Sequence, residues 1–314
     1  MGAIVGMGRQ CQPMHKLSRQ QLVLVVLLTL VWGVNWPVMK LGVTGYPALT
    51  FRAASIWLGI PVLALGMVAL KVPFRLPRRH WSELLWLAAT NMFVWHACII
   101  LAIKSLSSGR TAILGYTMPI FSAVIGAVLF KAALTGRGWL GVSAASTGVV
   151  LLLWHEFTGL AGRPAGVALA LVAAATWALG TQLLRRTRMD VPTLTISFWM
   201  TTLTAVVMTV LSWLLERGDW HAPSATVWAA TLFNAVLIFG FAHATWFYLA
   251  RALPPVASTL SVMFIPVVGV FSGALWLGEV LHWQDWAAVV LMVVAIASVL
   301  WPAPVPLRAA RTGA

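Results

Sequence analysis

Apolar stretches close to 20 residues long recur from one end of the chain to the other, and they leave it few folds to choose from. A helix rises about 1.5 Å per residue, so roughly 20 residues cross a bilayer core of about 30 Å. Ten such stretches are read, near 21–40, 47–70, 83–103, 111–130, 138–154, 165–184, 193–215, 226–250, 257–278 and 285–302. Of the 314 residues 61% are hydrophobic and only 9% charged. A soluble domain carries about 25% charged residues, so a water-soluble fold of this chain would lack the polar surface to cover itself. The two-residue alternation of a membrane β-barrel is absent, and its strands would be only about 10 residues long. The expected fold is therefore all-α: a polytopic membrane protein of ten transmembrane helices, with the lipid bilayer as its solvent.

The formal net charge of +14 would point to nucleic acid in a soluble protein. Here the placement of the charge explains it without a nucleic-acid partner, because cytoplasmic loops of membrane proteins collect Lys and Arg. With the N-terminus inside, six of the 21 basic residues (Lys40, Arg52, Lys104, Arg110, Arg163 and Arg217) fall in outer loops or helix ends, and the rest fall inside. Glu156, Glu216, Asp219, Glu279 and Asp285 fall outside. Both termini are thus expected in the cytoplasm, as an even number of crossings requires. The basic N-terminal segment precedes an apolar run of full membrane length with no small-residue cleavage site, so it reads as a retained first helix rather than a signal peptide. The two cysteines, Cys11 in the tail and Cys98 in mid-helix, do not form a disulfide framework or a metal motif. No cofactor and no metal are expected.

The chain repeats itself. At an offset of 147, His96 meets His243, Pro119 meets Pro266, Gly126 meets Gly273, Trp139 meets Trp286 and Trp154 meets Trp301. At an offset of 145, Trp32 meets Trp177, Lys40 meets Arg185, and Pro-Ala-Leu-Thr at 47–50 meets Pro-Thr-Leu-Thr at 192–195. Each repeat holds five helices, an odd number, so the second enters the membrane in the opposite sense. The organisation expected is a cytoplasmic tail (1–20), a first five-helix repeat (21–160), an inverted second repeat (161–302) and a cytoplasmic C-terminal tail (303–314). Inverted repeats are a construction of secondary transporters, whose sites lie near the membrane midplane between the halves.

The residues that could serve such a site are polar or aromatic groups inside apolar helices. Asn35, Asn91, Asn234, His96, His243 and Gln182 each cost free energy unless paired or facing water. Each is either satisfied by a neighbouring helix or part of a polar cavity. Trp95, Trp177 and Trp246 sit deep, whereas Trp81, Trp139, Trp154, Trp220, Trp283, Trp286 and Trp301 suit the interfacial belt. Asn91 and Trp95 are four apart, and Trp32, Asn35 and Trp36 cluster, so each set shares a helical face. A cavity with indole walls and a few amides suits a flat or apolar solute with a polar end, a shape aromatic amino acids have. The substrate-binding residues expected are Trp32, Asn35, Asn91, Trp95, His96, Tyr116, Trp177, His243 and Trp246. Pro119 and Pro266 are the expected kinks, since proline removes a backbone donor and clashes with the preceding turn. Gly269 and Gly273 form a small-xxx-small pair for close helix packing. Arg52, about five residues into the second stretch, is expected to snorkel to the interface; a carboxylate contact or an interhelical clamp are its other uses.

Enzyme chemistry finds no support. Gly136, Gly138 and Gly141 spell GxGxxG, but no strand precedes them. No cluster of catalytic polar residues falls at one depth, and no mid-membrane carboxylate pair is present, which leaves proton coupling to histidine alone.

Leu-Val-Trp-Gly-Val-Asn-Trp at 30–36, Pro47 with Phe51-Arg52, Pro119, Pro266, and Gly-Glu-Val-Leu at 278–281 followed by Gln284 form an ordered set. In that set the chain resembles the drug/metabolite transporter superfamily, specifically its ten-helix members with two EamA domains. The resemblance covers roughly 20–302 and is most like bacterial exporters of aromatic amino acids. It implies a central cavity lined by both halves and open to one side at a time. The pattern departs at Lys131-Ala132, where the first half lacks Gly-Glu, and at Ser197, which replaces the counterpart of Arg52. The expected function is export of a small-molecule substrate, an amino acid or similar metabolite, across a bacterial cell inner membrane by a monomer or weak dimer. Multidrug efflux and a non-transporting membrane scaffold are the alternatives; a dry interface between the halves would favour the scaffold.

Overall fold

Helices account for nearly all of what the computed structural model describes, which is residues 19–131, 136–158, 163–252 and 265–300; no strand occurs among them. In chain order they are α1 (Arg19–Val43), α2 (Ala48–Ala69), α3 (Arg78–Ser105), α4 (Ser108–Phe130) and α5 (Gly136–Thr158). Then follow α6 (Pro164–Arg186), α7 (Thr193–Asp219), α8 (Ala225–Arg251), α9 (Ile265–Leu277) and α10 (Trp283–Leu300). Seven of these, α1 to α4 and α6 to α8, are long and apolar enough to cross a membrane, and α9 is a shorter apolar helix. The chain is a multi-pass, all-helical membrane protein. Leu65, Val68, Leu85, Trp86, Leu215 and Leu275 stand more than half exposed. In water such a surface would drive aggregation; lipid tails cover it at no cost.

The helices pair in a definite pattern. α5 packs on α10, α2 on α7 and α8, α3 on α6 and α7, α1 on α8 and α9, and α4 on α6 and α9. No hydrophobic force drives these contacts in lipid, so close backbone approach and polar links hold them. Gly269 and Gly273 supply the approach of α9: a Cβ on Gly269 would lie 2.9 Å from the Trp36 indole of α1, and one on Gly273 would overlap the Ser108 hydroxyl of α4.

Polar links sit at helix ends, where the first amides and last carbonyls lack intrahelical partners. Glu216 at the end of α7 accepts from the amides of Leu49 and Thr50 (3.0 and 2.8 Å) and from the Thr50 hydroxyl, so it caps α2. Glu279, just past α9, does the same for α4, accepting from the amides of Ser108 (2.6 Å) and Gly109 (3.1 Å) and from the Ser108 hydroxyl. Lys40 donates to the carbonyls of Ile103 and Leu106 at the C-terminus of α3 (2.9 and 2.7 Å). In each case the charge has the sign the helix dipole favours.

Three helices depart from regular winding. α3 winds as a π-helix over Ala89–Phe93 and α8 over Asn234–Ala242, each just ahead of a histidine, His96 or His243. α4 breaks at Tyr116–Thr117 and restarts at Met118, which places Pro119 in the first turn of the new segment rather than within a continuous helix. The first turn is where a missing N–H costs least. Pro266 is the second residue of the described part of α9, and residues 253–264 ahead of it lie outside the described residues. The expected spans agree with the described helices to within a few residues, except that α3 extends past 83–103 at both ends and that the first part of the ninth span, 257–264, lies outside the described residues. Residues 1–18 and 301–314, and with them Cys11 and Trp301, lie outside the described residues.

Candidate functional site

A cavity lies where α1, α2, α3, α4, α6 and α8 converge. The face of α1 that carries Trp32, Asn35, Trp36 and Met39 forms one wall, since residues three and four apart stack on one side of a helix. Arg52 comes from α2, Trp95, His96 and Ile99 from α3, Tyr116 and Met118 from the break in α4, Trp177 from α6, and Ile238 and His243 from α8. The open space is ≈ 40 Å³, room for a water or two and not for a metabolite. A solute can enter only if the helices around it separate.

One end of the cavity is an aromatic cluster. Trp177 meets Trp95 at 5.0 Å between ring centroids, Trp32 at 6.2 Å and His243 at 5.8 Å. His96 and His243, the pair related by the sequence offset, meet edge to face at 5.0 Å. His243 stacks on Phe239 at 5.2 Å, and its Nδ1 contacts the Ile238 carbonyl at 2.9 Å. A carbonyl only accepts, so Nδ1 carries the proton and Nε2 of the neutral ring is an acceptor. The π winding of α8 brings that carbonyl, five residues back, within reach.

The other end holds Arg52. Its side chain is 1% exposed, which overturns the expectation that it snorkels to the interface. A snorkelling arginine needs a path to headgroups, and Arg52 instead lies between α1 and α8. Its Nη1 donates to Asn234 Oδ1 at 3.2 Å and its Nη2 lies 2.7 Å from Met39 Sδ. The rings of Phe239 and Phe51 flank it at 5.6 and 5.9 Å, within cation–π range. Its Nε has no protein partner. Around the same cavity Asn35 Oδ1, Trp36 Nε1 and both ring nitrogens of His96 are also buried without one. Each such group costs about 1–3 kcal/mol while unpaired, so water or another polar group in the cavity stabilises it.

Of the nine expected binding residues, seven line this cavity: Trp32, Asn35, Trp95, His96, Tyr116, Trp177 and His243. The other two stand behind them. Trp246 packs on Trp32 at 5.6 Å, and Asn91, in the π segment of α3, lies against Gly180 of α6. Gln182 is elsewhere, bonded to Ser122 at 2.7 Å. The lining residues outside those nine are Trp36, Met39, Arg52, Ile99, Met118 and Ile238. Two of them gave a signal in the sequence: Trp36 by its spacing from Trp32 and Asn35, and Arg52 as a full charge within an apolar stretch.

A model of the EamA-like transporter family matches residues 20–154 and again 164–301. Among curated proteins, the chain is 24% identical to an uncharacterized transporter of Bacillus subtilis, YoaV, over 81% of this chain and 88% of the relative. It is 27% identical to a probable amino-acid metabolite efflux pump of Salmonella typhimurium (89% and 94%). It is 24% identical to an uncharacterized inner membrane transporter of Escherichia coli, YedA (86% and 87%). A solved crystal structure shares its fold at TM-score 0.67 with 19% identity, over 90% of this chain and 98% of that one.

Proposed function

The chain belongs to the EamA-like transporter family, and from that premise we propose that it exports small amphipathic metabolites, amino acids including aromatic ones, across a bacterial inner membrane. The observation that carries this reading is the buried cavity with an indole-walled end and unpaired polar atoms, set where six helices meet. Relatives named for amino-acid metabolite efflux and as inner membrane transporters support it.

The mechanism is alternating access by two inverted five-helix halves, with ten crossings and both termini in the cytoplasm. Support for it comes from the packing. If each helix is exchanged for the one five places along, α1–α9 becomes α6–α4, α2–α8 becomes α7–α3, and α3–α6 becomes α8–α1. The pairs α2–α7, α5–α10 and α4–α9 map onto themselves. These main packing pairs survive the exchange, as two halves that trade conformations require. Trp32, Asn35, Trp95, His96, Tyr116, Trp177 and His243 contact the solute, with Asn91 and Trp246 supporting them, and Pro119 and Pro266 act as the bending points.

Counterflow in proteoliposomes tests this. Vesicles preloaded with unlabelled phenylalanine should accumulate labelled phenylalanine transiently and saturably, with weaker exchange of Trp, Thr and Met. Absence of saturable exchange for all four would sink the amino-acid reading. Exchange of cationic dyes in their place would favour multidrug efflux, which the lack of a carboxylate among the described lining residues opposes.

A further inference from the structure

We infer that the cavity is a carboxylate site in which Arg52 holds the acid group of the solute, and that its preferred ligands are aromatic monocarboxylates whose amino group is dispensable. The inference rests on the transport reading above and sharpens its substrate class.

The side edge of a guanidinium, formed by Nε and Nη2, is the edge that grips a carboxylate with two parallel hydrogen bonds. In Arg52 that edge is the poorly satisfied one. Nε has no protein partner, and Nη2 has only the Met39 thioether, a weak acceptor. Asn234, by contrast, holds Nη1 at the far edge, and Phe51 and Phe239 flank the ion. Met39 lines the cavity and is unbranched, so its swing uncovers the edge at little cost. Trp36 Nε1, a further buried donor without a partner, lines the same space.

Among the described residues no carboxylate is available to neutralise this cation. Of the seven acids, Glu216 and Glu279 cap α2 and α4, Asp285 pairs with Arg110, Asp190 pairs with Arg79, and Glu83 accepts from Thr187. Asp219 is exposed beyond the regular part of α7, and the side chain of Glu156 is outside the described residues, on α5, a helix that contributes nothing to the described lining. A buried charge far from water needs a counter-ion. A monoanion supplies it and leaves the loaded site neutral. A zwitterion brings in addition an ammonium that finds no acid among the described lining residues, only neutral acceptors such as Asn35 Oδ1 and imidazole nitrogens of His96 and His243. An amine without a carboxylate sets a second positive charge beside the first.

The test is a three-ligand series on the full-length protein: 3-phenylpropionate, phenylalanine and phenethylamine, each as competitor in phenylalanine counterflow and as ligand in tryptophan-fluorescence titration. The inference expects 3-phenylpropionate to bind at least as tightly as phenylalanine and phenethylamine about 30-fold more weakly, the scale of a charge-assisted hydrogen bond. Arg52→Gln should lose the acid by about the same factor, and Arg52→Lys should recover part of it. Because Arg52→Gln risks misfolding, Met39→Glu serves as a second variant. It places a carboxylate within reach of Nη2 and should compete with the ligand from within, weakening 3-phenylpropionate about 10-fold or more. Phenethylamine matching the acid, or phenylalanine exceeding it tenfold or more, overturns the carboxylate inference while leaving the exporter intact. So does an Arg52→Gln protein that stays folded and keeps full affinity for the acid. Exchange and binding of none of the three by the unaltered protein removes the aromatic-exporter reading and this inference together.

Discussion

Glu279 belongs to a Gly-Glu-Val-Leu run whose meaning is not visible along the chain. In three dimensions it is the acceptor for the first amides of α4, a helix that begins 171 residues earlier. Glu279→Ala should leave two amides and a hydroxyl without an acceptor and cost about 1–3 kcal/mol, read as a lowered unfolding temperature in detergent; Glu279→Gln should lose less. On the opposite end of the chain's path, exposed Asp190 takes hydrogen bonds from His80 (2.7 Å) and Arg79 (2.8 Å), which hold its pKa at about 2 against an ordinary 3.8. A depressed carboxylate pKa means that its stabilising effect is complete above the ordinary value and lost as pH falls through the folded one. Unfolding temperatures of the unaltered protein and Asp190→Asn should therefore differ at neutral pH and converge as pH approaches 2. Arg52 shows what the sequence withholds at this scale. Helix α2 is apolar on every side, so no stripe separates its lipid face from its protein face, and the burial of a single residue on it cannot be read from periodicity. The seven lining residues that were legible announced themselves as an amide, histidines, indoles or a phenol inside apolar runs, a type-based signal that survives the loss of periodicity.

Elements were legible as lengths and not as windings. Runs of about 20 apolar residues give a helix its span, but nothing in composition specifies a π winding; each of the Ala89–Phe93 and Asn234–Ala242 segments carries one asparagine, Asn91 or Asn234, as Asn35 does in regular α1. A π segment accommodates one residue more than an α-helix between the same flanks. Deleting Ala89 should thus return α3 to regular winding while both flanks keep their orientation, and the variant should insert and remain monodisperse. Deleting Ala102, buried in the regular part of α3, turns all that follows by about 100°, and that variant should aggregate. Size-exclusion profiles of the two deletions decide the matter; equal damage from both would mean that the π winding has no such slack. The break in α4 was half legible: Pro119 marked it, but the interruption itself sits at Tyr116–Thr117 and brings Tyr116 and Met118 to the cavity.

At the scale of the whole molecule the charge is segregated. The described acids sit at helix ends and loops, the aromatic cluster sits inside, and one arginine without a carboxylate partner among the described residues stands in the cavity. That last feature has an electrical consequence. If the cavity carries a monoanion as inferred above, each turnover moves net negative charge, and voltage then acts on the transport step directly. One elementary charge crossing 100 mV is worth about 2.3 kcal/mol, close to a 50-fold concentration ratio. Proteoliposomes clamped by a potassium gradient and valinomycin should release 3-phenylpropionate faster when their interior is negative and retain it when the sign is reversed. In a cell whose interior is held negative, the resting potential alone would then drive such acids outward, with no ion flowing back in exchange.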